Sequence, residues 1–309
     1  MKRVYLDQNK WIDLSRAYHG RDGGGGFADV LQLCFARREQ GAASFPFSAQ
    51  HYMELTKRGN QASRERLATF SNGDTMASYT ALVPELVARY CQRLGGLQEA
   101  EPPEVFGRGL DFAFGKQVFP PHIREANPEW AAKVAHDLAM PGVLADRLSN
   151  PEGDDRAQVA SVMRLHGEKV AEAAENMRRH EPPLPTELFE DTLHYRIAFS
   201  TGDEVSKACE RLGADAEFFL GDVGAMRAGV AAIPPLRTEL ALIRDQVTQA
   251  QRKVQPNDMV DIAAMAVVIP YCDVVVSERH WTHVCHHAGL AKQFGTTVLT
   301  NVNDLKDHL

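Results

Sequence analysis

The sequence predicts a mixed α/β protein whose mostly parallel sheet is split by a long all-α insertion. Three observations carry this prediction. Near the N-terminus, runs of β-branched and aromatic residues alternate with helix-spaced segments in strand–helix–strand order, which favours parallel pairing. Strand signals fade between about residues 76 and 250. After Pro256 they return, as two apolar runs separated by one helical segment, the pattern of a right-handed crossover between parallel strands.

Taken in order, VYL at 4–6 is a buried strand of residues suited to a packed, pleated surface. WIDLSRAYHG follows with helical apolar spacing. FADVLQLCFARREQG places Val30, Leu31, Leu33, Cys34 and Phe35 on one broad helical face. ASFPFS at 43–48 is expected to be the second strand, and QHYMELTKRG the helix after it. The middle of the chain reads as helices: YTALVPELVARYCQRLGG, EWAAKVAHDLAM, DDRAQVASVMRLHGEKVAEAAENMRR, TELFEDTLHYRIAF, TGDEVSKACERLG and LRTELALIRDQVTQAQRKV. Joints such as EPPEV, FPPHI, EPPLP and IPPL separate them. Thr201 and Glu204 have capping-box spacing. NDMVDIAAMAVVIPYC is a helix with Asn257 as its expected N-cap, stopped near Pro270. DVVVS at 273–277 and TTVLT at 296–300 are short strands around the helix ERHWTHVCHHAGL, and NVNDLKDHL is a last short helix. The reading gives one discontinuous α/β domain, residues 1–75 with 250–309, and a helical subdomain at 76–249.

Composition narrows the class. At 44% apolar and 24% charged, the 309 residues suffice for a sizeable core. No apolar run reaches the roughly 18 residues of a membrane span, so no membrane partner is expected. The first residues enter a strand rather than a signal peptide, and Cys34, Cys91, Cys209, Cys272 and Cys285 lack paired spacing. Reduced thiols and a cytoplasmic location are the expectation. A formal charge of −7 argues against bulk attraction to nucleic acid but leaves room for a local basic surface.

The chemistry is expected where strands end, because open parallel sheets bind ligands just beyond the carboxyl ends of their strands. The first strand delivers Asp7 and Asn9 there. The second leads to Glu54. The NDMVDIAAM helix opens with Asp258 and Asp261, three residues apart and so on one face. DVVVS is followed at once by Glu278. Such a ring of carboxylates repels itself unless cations fill it, and all-oxygen ligand sets suit Mg2+ or Mn2+. One or two such ions can activate water against a phosphodiester.

LDQN at 6–9, ELTKRG with Glu54, NDMVDIAAMA at 257–266 and DVVVSER at 273–279 together resemble the PIN-like nuclease family. The resemblance covers both ends of the chain and not the helical middle. It implies a three-layer α/β/α sandwich and metal-dependent cleavage of RNA. Position by position, Asp7 matches the first acid, Glu54 the second, Asp261 or Asp258 the third and Glu278 the fourth. Gln8 stands where the family often has Thr or Ser, and Glu278 where it usually has Asp. Asn9, Lys57 and Arg58, with Arg279 and His280 beside the fourth acid, are the candidate substrate contacts. The helical insertion is expected to wall the cleft, selecting substrate or holding a protein partner.

Each acid also has a purely structural reading. Asp7 can cap the helix near Trp11, Asp258 can serve the positive end of its own helix, and Glu278 can pair with Arg279. Asp273 precedes its strand at the opposite edge and reads as structural. His283 and His287 have zinc-pair spacing, but no second ligand cluster matches them. GGGG at 23–26 lacks the remainder of a phosphate-binding loop and reads as a hinge. The same residues fit a PIN-like module that binds nucleic acid or protein without cleaving, or a phosphohydrolase acting on a small nucleotide. RNA and DNA are not separated by sequence.

Overall fold

A computed structural model describes residues 1–18, 20, 26–52, 70–115, 126, 175–176, 185–249 and 255–309. Glu54, Lys57, Arg58 and the EWAAKVAHDLAM segment lie outside them. The chain forms two compact units. The first comprises Met1–Ala77, Val105–Ala157 and Tyr271–Leu309, and the second Ser78–Glu104 and Gln158–Pro270.

In the first unit the described strands are β1 (Lys2–Leu6), β2 (Ala43–Ser44), β3 (Asp74–Met76), β4 (Phe106–Arg108), β5 (Val274–Val276) and β6 (Thr297–Leu299). Four of them form a parallel sheet in the order β2-β1-β5-β6, so the fold is mixed α/β. The interior strands β1 and β5 pair Val4 with Val274, Tyr5 with Val275 and Leu6 with Val276. All six side chains are at most 3% exposed. Burying each contributes about 1.5–3 kcal/mol, against roughly 1 kcal/mol net for a ladder hydrogen bond. The apolar run, more than the ladder, therefore fixes the register.

The helix Gln8–Tyr18 turns Gln8, Trp11, Leu14 and Ala17 inward, at three-residue spacing. Trp11 meets Phe47 and Phe70 edge-on, with ring centroids 5.0 and 4.8 Å away. The helix Phe27–Glu39 adds Val30, Leu31 and Cys34 to the same core, and the closing 3-10 helix Val302–Asp307 adds Val302 and Leu305.

Two expectations about strands are corrected. ASFPFS pairs as a strand only at Ala43–Ser44. Pro46 has no N–H to give a ladder, and the chain beyond it turns to a new partner. Phe47 N–H donates to Asp74 O (2.9 Å) and Met76 N–H to Phe47 O (2.7 Å). The stretch after residue 76 is also not purely helical, because β3 and β4 make an antiparallel ribbon. A turn at Asn72 and Gly73, both at positive φ (52° and 78°), leads into β3, and the chain passes through the helix Tyr79–Leu94 before it returns as β4.

The second unit is helical over its described residues: Tyr79–Leu94, Thr186–Ser200, Gly202–Leu212, Glu217–Leu220, Val223–Ala232, Pro234–Thr248 and most of Pro256–Tyr271. Ser78 caps the first through Ala81 N–H, and Asp222 caps Val223–Ala232 through Ala225 N–H. Thr201 does not make the expected capping box. It is at once the C-cap of one helix and the N-cap of the next, with φ −121° and ψ 10°, and its hydroxyl is buried without a partner. Asn257 is likewise not the N-cap, since the helix already begins at Pro256.

Close packing here gives a prediction of sign. A Cβ on Gly229 would lie 2.3 and 2.6 Å from the Phe219 ring. Alanine ordinarily gains about 1 kcal/mol over glycine inside a helix, whereas overpacking a filled core costs about 1–3 kcal/mol. Phe219 is fully buried and cannot swing into solvent. Gly229→Ala is therefore expected to destabilise this unit, as a lower urea midpoint followed by hydrogen exchange of the helix Val223–Ala232.

Candidate acidic site

Parallel register brings two of the predicted acids to neighbouring strand ends. The ladder continues one step past Leu6, where Asp7 N–H donates to Val276 O at 2.9 Å. Side chains alternate along a strand, so Asp7 shares a face with Tyr5, and Ser277 shares the paired face with Val275. Ser277 Oγ accordingly stands 3.4 Å from Asp7 Oδ2, a long contact. One residue further, Asn9 Nδ2 donates to Glu278 Oε1 at 2.5 Å. Asn9 and Glu278 are 269 residues apart in sequence. Their hydrogen bond ties the head of the chain to its tail at the carboxyl edge of the sheet.

Asp7 occupies the cap position of the helix Gln8–Tyr18. Its carbonyl accepts from Lys10 and Trp11 N–H (2.8 and 3.2 Å), and its Oδ1 accepts from Gln8 N–H at 2.6 Å. The positive helix end stabilises a carboxylate there. These bonds meet the helix-end reading of Asp7. Asp7 is half-buried, whereas Asn9 and Glu278 are exposed. Arg279 and His280 open the helix Arg279–His287, with the His280 ring 4.8 Å from that of Trp281. Arg279 is exposed and His280 half-buried.

His51, which the sequence reading did not single out, braces the end of β1. Its Nδ1 accepts from Ser48 N–H (3.0 Å), which leaves Nε2 protonated to donate to Leu6 O (2.8 Å). Burial pushes this imidazole down to about 4, so it is neutral at physiological pH. It fixes backbone one residue before Asp7. Only the Ser48-xx-His51 spacing marks it in sequence, and that pattern is common.

Asp258 and Asp261 lie in the second unit. Asp258 is 5% exposed, and its Oδ2 accepts from Gln255 N–H at 2.9 Å, the helix-end role expected of an acid in a first turn. Asp261 follows one turn later and is half-buried. Asp273 is structural, as expected: its carboxylate accepts from Arg3 N–H at 2.6 Å at the opposite edge of the sheet.

The rim offers oxygen donors from Asp7 and Glu278. Among the described residues no group of three or more His, Cys, Asp or Glu side chains is gathered for a metal. Carboxylate oxygens are the ligand type that a hard cation such as magnesium takes, with waters and phosphate oxygens completing its shell. Among the described residues no helix is long and apolar enough to cross a membrane. Compared with family models, curated proteins and solved structures, the chain matches none.

Proposed function

We propose that this chain is a metal-dependent nuclease of PIN-like type, built on a three-layer α/β/α sandwich and hydrolysing phosphodiester bonds in RNA. The observation that supports it is the delivery of Asp7 and Glu278 to adjacent carboxyl ends of parallel strands, with Asn9 bonded to the Glu278 carboxylate. Carboxylates at the ends of neighbouring central strands sit where such sheets bind ligands.

In this reading Asp7 and Glu278 hold the ion through oxygen, and Asn9 orients Glu278. Bound Mg2+ or Mn2+ would supply a more acidic water and neutralise charge on the phosphate. Asp7 is the stronger ligand of the two because half-burial lowers the screening around it. Glu278, on the exposed side, accommodates substrate through its longer side chain, next to Arg279 and His280 as phosphate contacts.

The decisive experiment incubates the full chain with labelled single-stranded RNA and DNA, with Mn2+ and then with EDTA. Manganese-dependent cleavage of RNA, abolished by EDTA, is the expected result. Retained RNA binding with no cleavage selects the non-cleaving module instead, and release of phosphate from a mononucleotide alone selects a small-molecule phosphohydrolase.

A further inference from the structure

Two of the five buried thiols of this chain meet in the second unit. Cys91, in the helix Tyr79–Leu94, and Cys209, in the helix Gly202–Leu212, are 0% and 1% exposed. Neither is in a disulfide, and the Cys91 S–H donates to the Cys209 sulfur. Each stands three positions before the end of its helix. The same two helix ends are joined again where Gln92 Nε2 donates to Leu212 O at 2.8 Å, and Arg211 pairs with Glu85 between the same helices. A thiol is a weak donor and a weak acceptor. The packing and bonding of the two helices, rather than the S–H bond itself, therefore hold the sulfurs together.

Pairing sets these two thiols apart chemically. Burial pushes Cys34 and Cys285 up to about 12 and raises Cys272 as well, so those three stay protonated. Within the pair, donation to Cys209 and burial raise Cys91, while the bond received from Cys91 lowers Cys209 against the opposing effects of burial and Asp215. The thiolate is the nucleophile, so Cys209 is the sulfur that attacks first. The last turn of a helix ends in carbonyls without helical partners and is where helices open most readily. Arg93, Leu94, Glu210 and Arg211, beside the pair in sequence, are exposed. A small reagent thus reaches the sulfurs when one turn frays. We infer that Cys91 and Cys209 are a redox-sensitive modification site, closing to a disulfide by exchange with a low-molecular-weight disulfide and stapling the ends of these two helices together. The Cys209 thiolate attacks one sulfur of the small disulfide, forming a mixed disulfide and expelling one small thiolate. Cys91 then gives up its proton and attacks the Cys209 sulfur, expelling the second. The protein loses two protons and two electrons, and the small disulfide is reduced to two thiols. The new bond closes a long stretch of chain and so restricts the unfolded state. This inference stands apart from the reading of Asp7 and Glu278.

The test equilibrates the full chain with reduced and oxidised glutathione at graded ratios, alkylates the remaining thiols after an acid quench, and maps the cysteine peptides by mass. Hydrogen exchange of the helices Tyr79–Leu94 and Gly202–Leu212 is followed on the same samples. The expected result is a Cys91–Cys209 link that grows with the oxidised fraction and is reversed by excess reduced glutathione, while Cys34, Cys272 and Cys285 remain alkylated. Exchange of both helices should slow roughly tenfold in the linked protein. No link at any ratio overturns the inference. So does a link that leaves exchange unchanged or speeds it, because the staple would then hold nothing together. Cys91→Ser, whose hydroxyl can still donate to Cys209, is expected to trap Cys209 as the glutathione mixed disulfide. An unmodified Cys209 in that variant, or an adduct spread equally over Cys34, Cys272 and Cys285, overturns the inference as well.

Discussion

Asp7→Asn is expected to reduce manganese-dependent RNA cleavage by about 10²- to 10³-fold, the usual loss when one preorganised electrostatic group leaves a reacting site, while leaving the fold intact. The substitution is nearly isosteric. The amide oxygen can still accept from Gln8 N–H, and the backbone carbonyl still receives Lys10 and Trp11 N–H. Only the charge is removed. Glu278→Gln is the matched control, because the new amide oxygen still accepts from Asn9. Glu278 is exposed and Asp7 half-buried, so water screens the former more, and its loss is expected to be the smaller of the two. Equal melting curves with this order of activities would tie the effect to charge at the rim. Wild-type cleavage in Asp7→Asn would remove Asp7 from the reaction and leave it as a helix cap.

The arrival of Asp7 and Glu278 at neighbouring strand ends was legible in the sequence because each stands just past an unbroken run of buried strand residues, Val4–Leu6 and Val274–Ser277. Parallel pairing of two such runs leaves little freedom in where their next residues go. Asp258 showed its helix-end role equally plainly, as an acid in a first turn. Less legible were features decided by tertiary partners. ASFPFS has the composition of a strand, yet Pro46 ends its pairing after two residues and Phe47 bonds across to β3. The ribbon of β3 and β4 is too short, at three residues each, to show periodicity, and its two strands are separated in sequence by the helix Tyr79–Leu94. Thr201 satisfies the capping-box pattern, but two helices meet at that residue, and its hydroxyl is buried without a hydrogen-bond partner. His51 and the meeting of Cys91 with Cys209 depend on long-range packing and carry almost no local signal.

The second unit contains a buried acid that should make its stability fall as pH rises. Glu239 is 8% exposed. Burial pushes its carboxyl up from 4.5 to about 7, while the hydrogen bond from Tyr79 Oη and the Arg196 guanidinium pull it back without cancelling the cost of desolvation. The folded unit therefore holds the Glu239 proton more tightly than the unfolded chain does. The associated stability is complete below about pH 4.5 and is lost progressively as pH rises through about 7. A shift of this size corresponds to about 3 kcal/mol. Glu239→Gln stays neutral throughout and still accepts from Tyr79, so its stability should vary less between pH 4.5 and 8 than that of the wild type. None of the three tryptophans, Trp11, Trp130 and Trp281, lies in this unit, so fluorescence is the wrong probe. Hydrogen exchange of the helices Tyr79–Leu94 and Pro234–Thr248 reads it directly. Protection in the wild type, relative to the variant, should decline across that range. Parallel profiles would mean that Arg196 holds Glu239 ionised in the folded unit and that pairing, rather than burial, governs this acid.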